Sequence, residues 1–175
     1  MDKLELIKPT KELEKEAFEY KQEHIENGES ELHGSALFDK IDIYDDWLKL
    51  LKANSKEKTV DPNWVVSSTF FVVRKSDQKI IGMIDIRHTL NDFLRKYGGH
   101  IGYGIRPSER RKGYALQVLK MGLEYARQIG LTKVMLACYS ENLASRKTIE
   151  KCNGSFENEF LYTNGKIVQI YWISL

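Results

Sequence analysis

The chain lacks several things at once, and each absence narrows what it is. It has two cysteines, Cys138 and Cys152, in 175 residues. Two are too few for a disulfide framework, so they read as reduced thiols in a cytoplasmic protein. It has three prolines and no Pro/Gly/Ser-rich tract, so nothing divides it, and 1–175 reads as a single domain. No apolar run approaches the ~20 residues of a membrane span. The opening MDKLELIKPTKELEKE lacks the apolar centre of a signal peptide. No membrane partner is expected. Charge of one sign is scarce too: 27 Lys and Arg against 25 Asp and Glu leave a net charge of +2. That gives no case for a nucleic-acid partner. An RNA-binding reading would rest on SERRKGYA and scattered tyrosines, against that weak charge and acidic stretches elsewhere.

What is there is pattern. KLELI alternates as a short strand. A helix follows from a Thr10 cap to Gly28, with Leu13, Ala17, Phe18 and Ile25 as its apolar face. IDIYDDWLKLLKAN reads as a second helix with Ile43, Trp47, Leu50 and Leu51 buried. SSTFFVVRKSDQKIIGMIDIRH is two strands around a polar turn. HIGYGI is a strand whose Gly102 and Gly104 let another backbone or a ligand come close. A helix from Tyr114 to Ile129, the apolar strand KVMLACYS, the helix ENLASRKTIEKCNG and a hairpin about Asn164-Gly165 complete the chain. The order β-α-α-β-β-β-α-β-α-β-β implies an α/β (α+β) fold, helices over one mixed sheet.

The loop RPSERRKGYA sets the functional question. Arg110, Arg111 and Lys112 crowd before a helix start, where the macrodipole disfavours cations. Gly113 frees backbone N–H groups to face oxygens. Orphan amides at the helix start add donors. Strand, basic-Gly-small loop and helix together suit a phosphate. The loop has neither the Gly-rich span of a Walker motif nor G-x-G-x-x-G spacing. A solvated charged turn is the plain alternative.

Ile105, Pro107, Arg110, Gly113 and Ala115 together resemble the acetyl-CoA motif of the GNAT acetyltransferase superfamily, Arg/Gln-x-x-Gly-x-Gly/Ala after a strand. ENLASRKTIEKCNGSFENEF resembles its second signature. Its Asn142-x-x-Ser145 form is similar to the branch holding ribosomal-protein N-acetyltransferases. The element order agrees from Leu4 to Leu175. The resemblance implies a mostly antiparallel central sheet with a splay between the fourth and fifth strands, the thioester of acetyl-CoA lying in the gap. It implies cofactor contacts at Ile105, Arg106, Arg110, Arg111, Lys112, Gly113, Tyr114, Ala115, Asn142 and Ser145. It implies direct attack by a primary amine of a small molecule or a protein N-terminus. A backbone N–H of Ile105 or Arg106 would polarise the carbonyl.

Two features depart from the family. Many members carry a Tyr seven residues after the signature Asn, as acid for the thiolate; here that position is Ile149. Tyr139 and Ser145 are nearby substitutes. This departure sustains an alternative, a non-catalytic acyl-CoA-binding or sensor domain. KCNGSF also has one residue more than usual. For the base, His100 comes first and Asp85 with His88 next; a His100 that holds the YGGH turn and an Asp85 paired with Arg87 or Arg106 are the equal alternatives. His24 and His33 are expected at the surface, Cys138 in the core, and Tyr103 in the acceptor pocket or the core. The acceptor would be gripped by Glu29 to Trp64 and Thr89 to Gly99. Asp39, Asp42, Asp45, Asp46, Asp61 and Asp92 there form an acidic rim or a solvated face. No metal is called for, and the C-terminal strand is a candidate homodimer edge.

Overall fold

The computed structural model describes residues 2–175. The strands are β1 (Leu4–Ile7), β2 (Ser67–Arg74), β3 (Lys79–Arg87), β4 (Ile101–Ile105), β5 (Lys133–Tyr139), β6 (Ser155–Leu161) and β7 (Ile167–Ser174). The helices are α1 (Glu14–Glu26), α2 (Tyr44–Asn54), α3 (Tyr114–Gln128) and α4 (Leu143–Lys151). The expected order of elements is the order found.

The splay goes further than expected. It divides the strands into two antiparallel sheets, β1-β2-β3-β4 and β5-β7-β6, in place of one continuous sheet. Each sheet carries apolar side chains on both faces, because alternate residues point opposite ways. Ile84, Ile86, Val134, Leu136 and Cys138 pack with Val118, Leu119, Leu123 and Ile149 under α3 and α4. Phe71, Val73, Ile80 and Met83 pack with Ala17, Tyr20, Phe38 and Trp47 under α1 and α2. Met135, Val168 and Ile170 form a smaller third cluster with Leu90 and Phe160, beside the connector between β3 and β4.

Two helix faces differ from the periodic reading. α1 buries Ala17, Tyr20 and His24, while Phe18 and Ile25 are exposed. α2 buries Tyr44, Trp47 and Asn54, and Ile43 is exposed. In α2, Tyr44 and Trp47 took the interior because their polar tips found partners. Trp47 Nε1 donates to the carbonyls of Ser35 and Ala36, and Tyr44 Oη to that of Thr10. The C-terminal strand is not the sheet edge it was expected to be. β7 lies between β5 and β6 and has no free edge; β6 is the outer strand, with Phe156 and Leu161 exposed.

Candidate active site

β4 ends the first sheet and faces the second. Its register with β3 pairs Gly82 with Ile105, Ile84 with Tyr103 and Ile86 with Ile101. Just beyond, Arg87 N–H donates to the His100 carbonyl and Arg106 N–H to that of Ile81, both at 2.8 Å. Bonded pairs alternate in an antiparallel ladder. Tyr103 and Ile105 therefore turn their N–H groups away from β3, towards β5. β5 meets them with no ladder. A single bridge joins Gly99 and Leu136, and His100 completes the junction. Its N–H donates to Met135 O at 2.7 Å and its Nδ1 accepts from Met135 N–H at 2.9 Å. The strands are clamped at His100 and part beyond it, forming a wedge. Among the expected carbonyl-polarising groups, the geometry separates two: Arg106 N–H is spent on Ile81, and Ile105 N–H faces the wedge.

The glycines of β4 are used by the chain itself. A Cβ at Gly104 would lie 2.8 Å from His33 O, and a Cβ at Gly34 2.6 Å from Gly102 O. The segment after α1 crosses β4 at van der Waals contact.

The loop after β4 corrects the reading of its cations. Arg106 is buried and donates to Glu16 and Glu23 of α1, both at 2.6 Å. Arg110 grips Glu29 with two bonds, at 2.6 and 2.8 Å, and its Nε holds the Ile105 carbonyl. Lys112 reaches buried Glu109 at 2.9 Å, where Arg74 also bonds. The Tyr114 hydroxyl donates to Asp2 and accepts from Arg74. These side chains anchor the loop; none is turned out to an anion, and only exposed Arg111 forms no ion pair among the described residues. The carboxylates answer in kind. Hydrogen bonds from Arg106 and Ser108 outweigh burial and draw Glu23 down to about 2. Arg110 does the same for Glu29, to about 2.

The backbone of the loop is another matter. Arg111 (φ 61°) and Gly113 (φ 83°) are both left-handed, which turns successive amides to one side. α3 starts at Gly113 with no side-chain cap. Among the described residues, the loop's hydrogen bonds do not use the N–H of Arg111, Lys112 or Gly113. Ala115 is half-buried on the first turn.

The far wall of the wedge is β5 and α4. Asn142 caps α4, its Oδ1 accepting from Ser145 N–H at 3.1 Å. The Asn-x-x-Ser spacing is thus that of a helix cap, and Ser145 stays half-exposed. Ile149 is fully buried against Gly154. The Tyr103 hydroxyl is buried with no hydrogen-bond partner among the described residues. Burial raises its pKa, and Ser145 and Thr148 stand close enough to oppose the rise. Tyr103 lies among core side chains on the α3–α4 side.

The expected bases are differently employed. Burial holds the His100 imidazole down at about 4, with help from Arg87 and Arg95. It is neutral at pH 7, and its Nδ1 lone pair is committed to Met135. Asp85 is buried, accepting from Thr69 Oγ1 at 2.8 Å and pairing with Arg87 at 3.2 Å. This is the ion-pair reading of Asp85, with Arg87 and not Arg106 as partner. His88 bonds Ser68. Cys138 is a buried free thiol whose pKa burial raises. His33 is exposed as expected, and His24 is only 2 % exposed, against expectation. No signal in helical periodicity distinguishes such a buried histidine from a surface one. The acidic residues mostly serve locally: Asp45 pairs with Lys11, Asp46 with Lys49, and Asp61 caps its own turn. Among the described residues no group of three His, Cys, Asp or Glu side chains is arranged to hold a metal. No helix is long and apolar enough to cross a membrane.

Comparison with known proteins bears on this geometry. The sequence profile of the Acetyltransferase (GNAT) domain matches residues 14–155. No curated protein sequence matches. Among solved structures, the microcin C7 self-immunity acetyltransferase MccE, in complex with acetyl-CoA and AMP, superposes with TM-score 0.70 at 18% identity, over 100% of this chain and 94% of its own. The spermidine/spermine N-acetyltransferase SpeG from Vibrio cholerae does so with TM-score 0.66 at 17% identity, over 98% and 93%. A Vibrio cholerae protein provisionally assigned as a ribosomal-protein-serine acetyltransferase gives 0.65 at 18%, over 100% and 95%. With a profile match over most of its length, this chain belongs to the GNAT acetyltransferase family, and its split sheet and strand-loop-helix agree.

Proposed function

We propose that the protein is an acetyl-CoA-dependent N-acetyltransferase acting on a primary amine, of a small molecule or a protein N-terminus. The observation that carries this is the wedge at β4. An outward strand edge leads directly into a run of uncommitted amides at the start of α3. The amides from Arg111 to Ala115 suit a pyrophosphate, which the helix dipole favours. The edge at Tyr103 and Ile105 suits the amide groups of a pantetheine arm, docked like an added strand. Ile105 N–H then points at the thioester oxygen and stabilises the charge that forms there. Asn142 and Ser145 border the same space from α4. Ser145 Oγ and the uncommitted Tyr103 hydroxyl both suit the departing sulfur, in place of Ile149. Two similarly folded proteins support the cofactor and acceptor classes: MccE was solved with acetyl-CoA, and SpeG is a spermidine/spermine N-acetyltransferase. The reading gives the basic side chains an indirect part. Arg106 and Arg110 brace the loop, and its backbone binds.

The test is thermal stability with acetyl-CoA, CoA and ATP, followed by thiol release across a panel of amines. A ligand at ~100 times its dissociation constant adds about 2.7 kcal/mol, which for this chain length raises the Tm by roughly 5–10 °C. A shift with both CoA species and none with ATP, together with thiol release, supports the reading. A shift with no thiol release from any amine favours an acyl-CoA-binding domain. No shift with any CoA species overturns both.

A further inference from the structure

The turn from Ile105 to Gly113 joins the two halves of the site, the strand edge and the run of amides, and one side chain spans it. Arg110 Nε donates to the Ile105 carbonyl at 3.0 Å, while Nη1 and Nη2 reach Glu29 at 2.6 and 2.8 Å. Every guanidinium nitrogen is engaged. A residue in an antiparallel ladder turns its N–H and its C=O to the same side. The Ile105 carbonyl therefore points into the wedge as its N–H does, and Arg110 meets it there. The next residue, Arg111, is left-handed and opens the run of uncommitted amides. Arg110 ties the last residue of the edge to the start of that run.

Glu29 is held as firmly. Its carboxylate accepts from His24 Nδ1 at 2.8 Å and from Asn27 Nδ2 at 2.7 Å, and its N–H donates to the His24 carbonyl at 2.9 Å. His24 is buried, so the carboxylate is fixed to the body of α1. Elsewhere on the turn, Glu16 and Glu23 of α1 take Arg106, and Glu23 also accepts from Ser108 N–H at 2.7 Å. Stability alone does not account for the Arg110 clasp. Its two side chains are 41 % and 29 % exposed, and exposed ion pairs stabilise little. A lysine would serve such a pair as well. Only a guanidinium has a fork for a carboxylate and a further nitrogen for a carbonyl.

We propose that Arg110, set in place by Glu29, is a positioning residue that fixes the span between the two halves, so that a ligand reaching from the edge to the amides meets both at once. The proposal rests on the acetyltransferase reading above, in which acetyl-CoA is that ligand, with its pantetheine arm at the edge and its pyrophosphate at the amides. A ligand tied to two subsites gains when their spacing matches its own, and it loses that gain when the spacing is free to vary. Arg110 touches no part of the ligand in this scheme. Its charge is spent on Glu29, and its task is to hold the loop at one distance from the strand. Glu29 acts only through it.

The experiment titrates wild type, Glu29→Gln, Arg110→Lys and the double variant with acetyl-CoA and, at millimolar concentration, with S-acetylpantetheine, which takes the edge alone. Tm is recorded for each. Gln has one acceptor oxygen where Glu has two, so the fork loses half its grip; Lys keeps the charge and loses the fork. Arg110→Lys is expected to weaken acetyl-CoA about tenfold and Glu29→Gln about threefold, with S-acetylpantetheine held within about twofold in both. The double variant binds acetyl-CoA no more weakly than Arg110→Lys, because the two residues act as one unit. The sign for Glu29→Gln is decisive. If Arg110 were itself a phosphate ligand, removing its counter-charge would tighten acetyl-CoA, and that result overturns the proposal. So does a lower Tm with wild-type affinity for acetyl-CoA, which makes the clasp structural only. Equal losses for both ligands place the fault in the edge, and a wild type that binds acetyl-CoA and no S-acetylpantetheine has no separate edge subsite; either overturns the spacing role while the cofactor reading stands. If Arg110→Lys does not fold, Glu29→Gln decides alone. If wild type does not bind acetyl-CoA, the acetyltransferase reading falls, and the spacing role with it.

Discussion

The two ends of β4 are built to opposite plans. At its start, His100 commits its backbone and Nδ1: N–H and Nδ1 to Met135, carbonyl to Arg87. At its end, Ile105 turns an N–H to the wedge, and the loop beyond leaves three amides uncommitted. The difference teaches where each job is done. A wedge needs one fixed end to hold its angle and one end with donors to spare, and rigid support behind a binding edge keeps the edge preorganised. Residue type misleads here. The histidine is the clamp, and the basic side chains Arg106, Arg110 and Lys112 are spent on carboxylates of the chain itself.

The largest way to break the comparison is at the clamp. His100→Ala leaves the buried Met135 N–H without an acceptor, which costs about 2–4 kcal/mol with the lost packing. The Tm falls accordingly, and acetyl-CoA binding weakens with it because the wedge loses its hinge. Urea unfolding and a titration with acetyl-CoA measure the two. The open end breaks differently. Gly113→Glu puts a side chain on a left-handed residue and a negative charge beside the amides. It lowers stability by only about 1 kcal/mol yet abolishes the acetyl-CoA thermal shift. A variant that still shifts normally would place the phosphate elsewhere.

Much of this was legible in the sequence, for identifiable reasons. Element order was, because turn residues and apolar periods are local. The splay was, through the family resemblance that Arg110, Gly113 and Ala115 carry. The fate of the arginines was not: Arg106 and Arg110 meet carboxylates 81 to 90 positions away, and no spacing rule couples α1 to that loop. His24 looks like a surface residue in the sequence for the same reason. Its neighbours Phe18 and Ile25 look more apolar, and only the packing of α1 on the sheet shows which face is inward. Asp85 and His100 carry titratable groups; strand alternation offers Arg87 as a partner for Asp85, and the contacts with Thr69 and Met135, which no pattern encodes, complete their use.

Acidity sharpens the comparison, since the clamp and the anchors of the loop titrate in different windows. His100 is held at about 4, below its unfolded value near 6.5. A lowered pKa contributes stability that is full above the unfolded value and lost as pH falls towards the folded one. Its share therefore fades between about pH 6.5 and 4. Glu23, Glu29 and Glu109, each drawn down to about 2, have the same sign, and their share fades from about pH 5 towards 2. A Tm–pH profile should fall in two stages. Burial also lowers His24 and His88, so His100→Asn, which keeps an acceptor for Met135 and cannot titrate, should shrink the upper stage and leave the lower one. An unchanged upper stage in that variant would assign it to another group.

The smallest effect concerns the second helix start at the wedge. α3 begins with no side-chain cap and α4 begins capped by Asn142. If the uncapped start is left for an anion, the capped one is structural in the free protein, and its cap is worth about 1 kcal/mol. Asn142→Ala should lower the Tm by roughly 2–4 °C. Added acetyl-CoA should not restore that loss, because Oδ1 serves Ser145 and not the ligand. Asn142→Asp keeps the acceptor and should recover most of the stability. If instead Asn142→Ala leaves the Tm unchanged and weakens acetyl-CoA binding tenfold, the two helix starts share one task, and the contrast between them is lost.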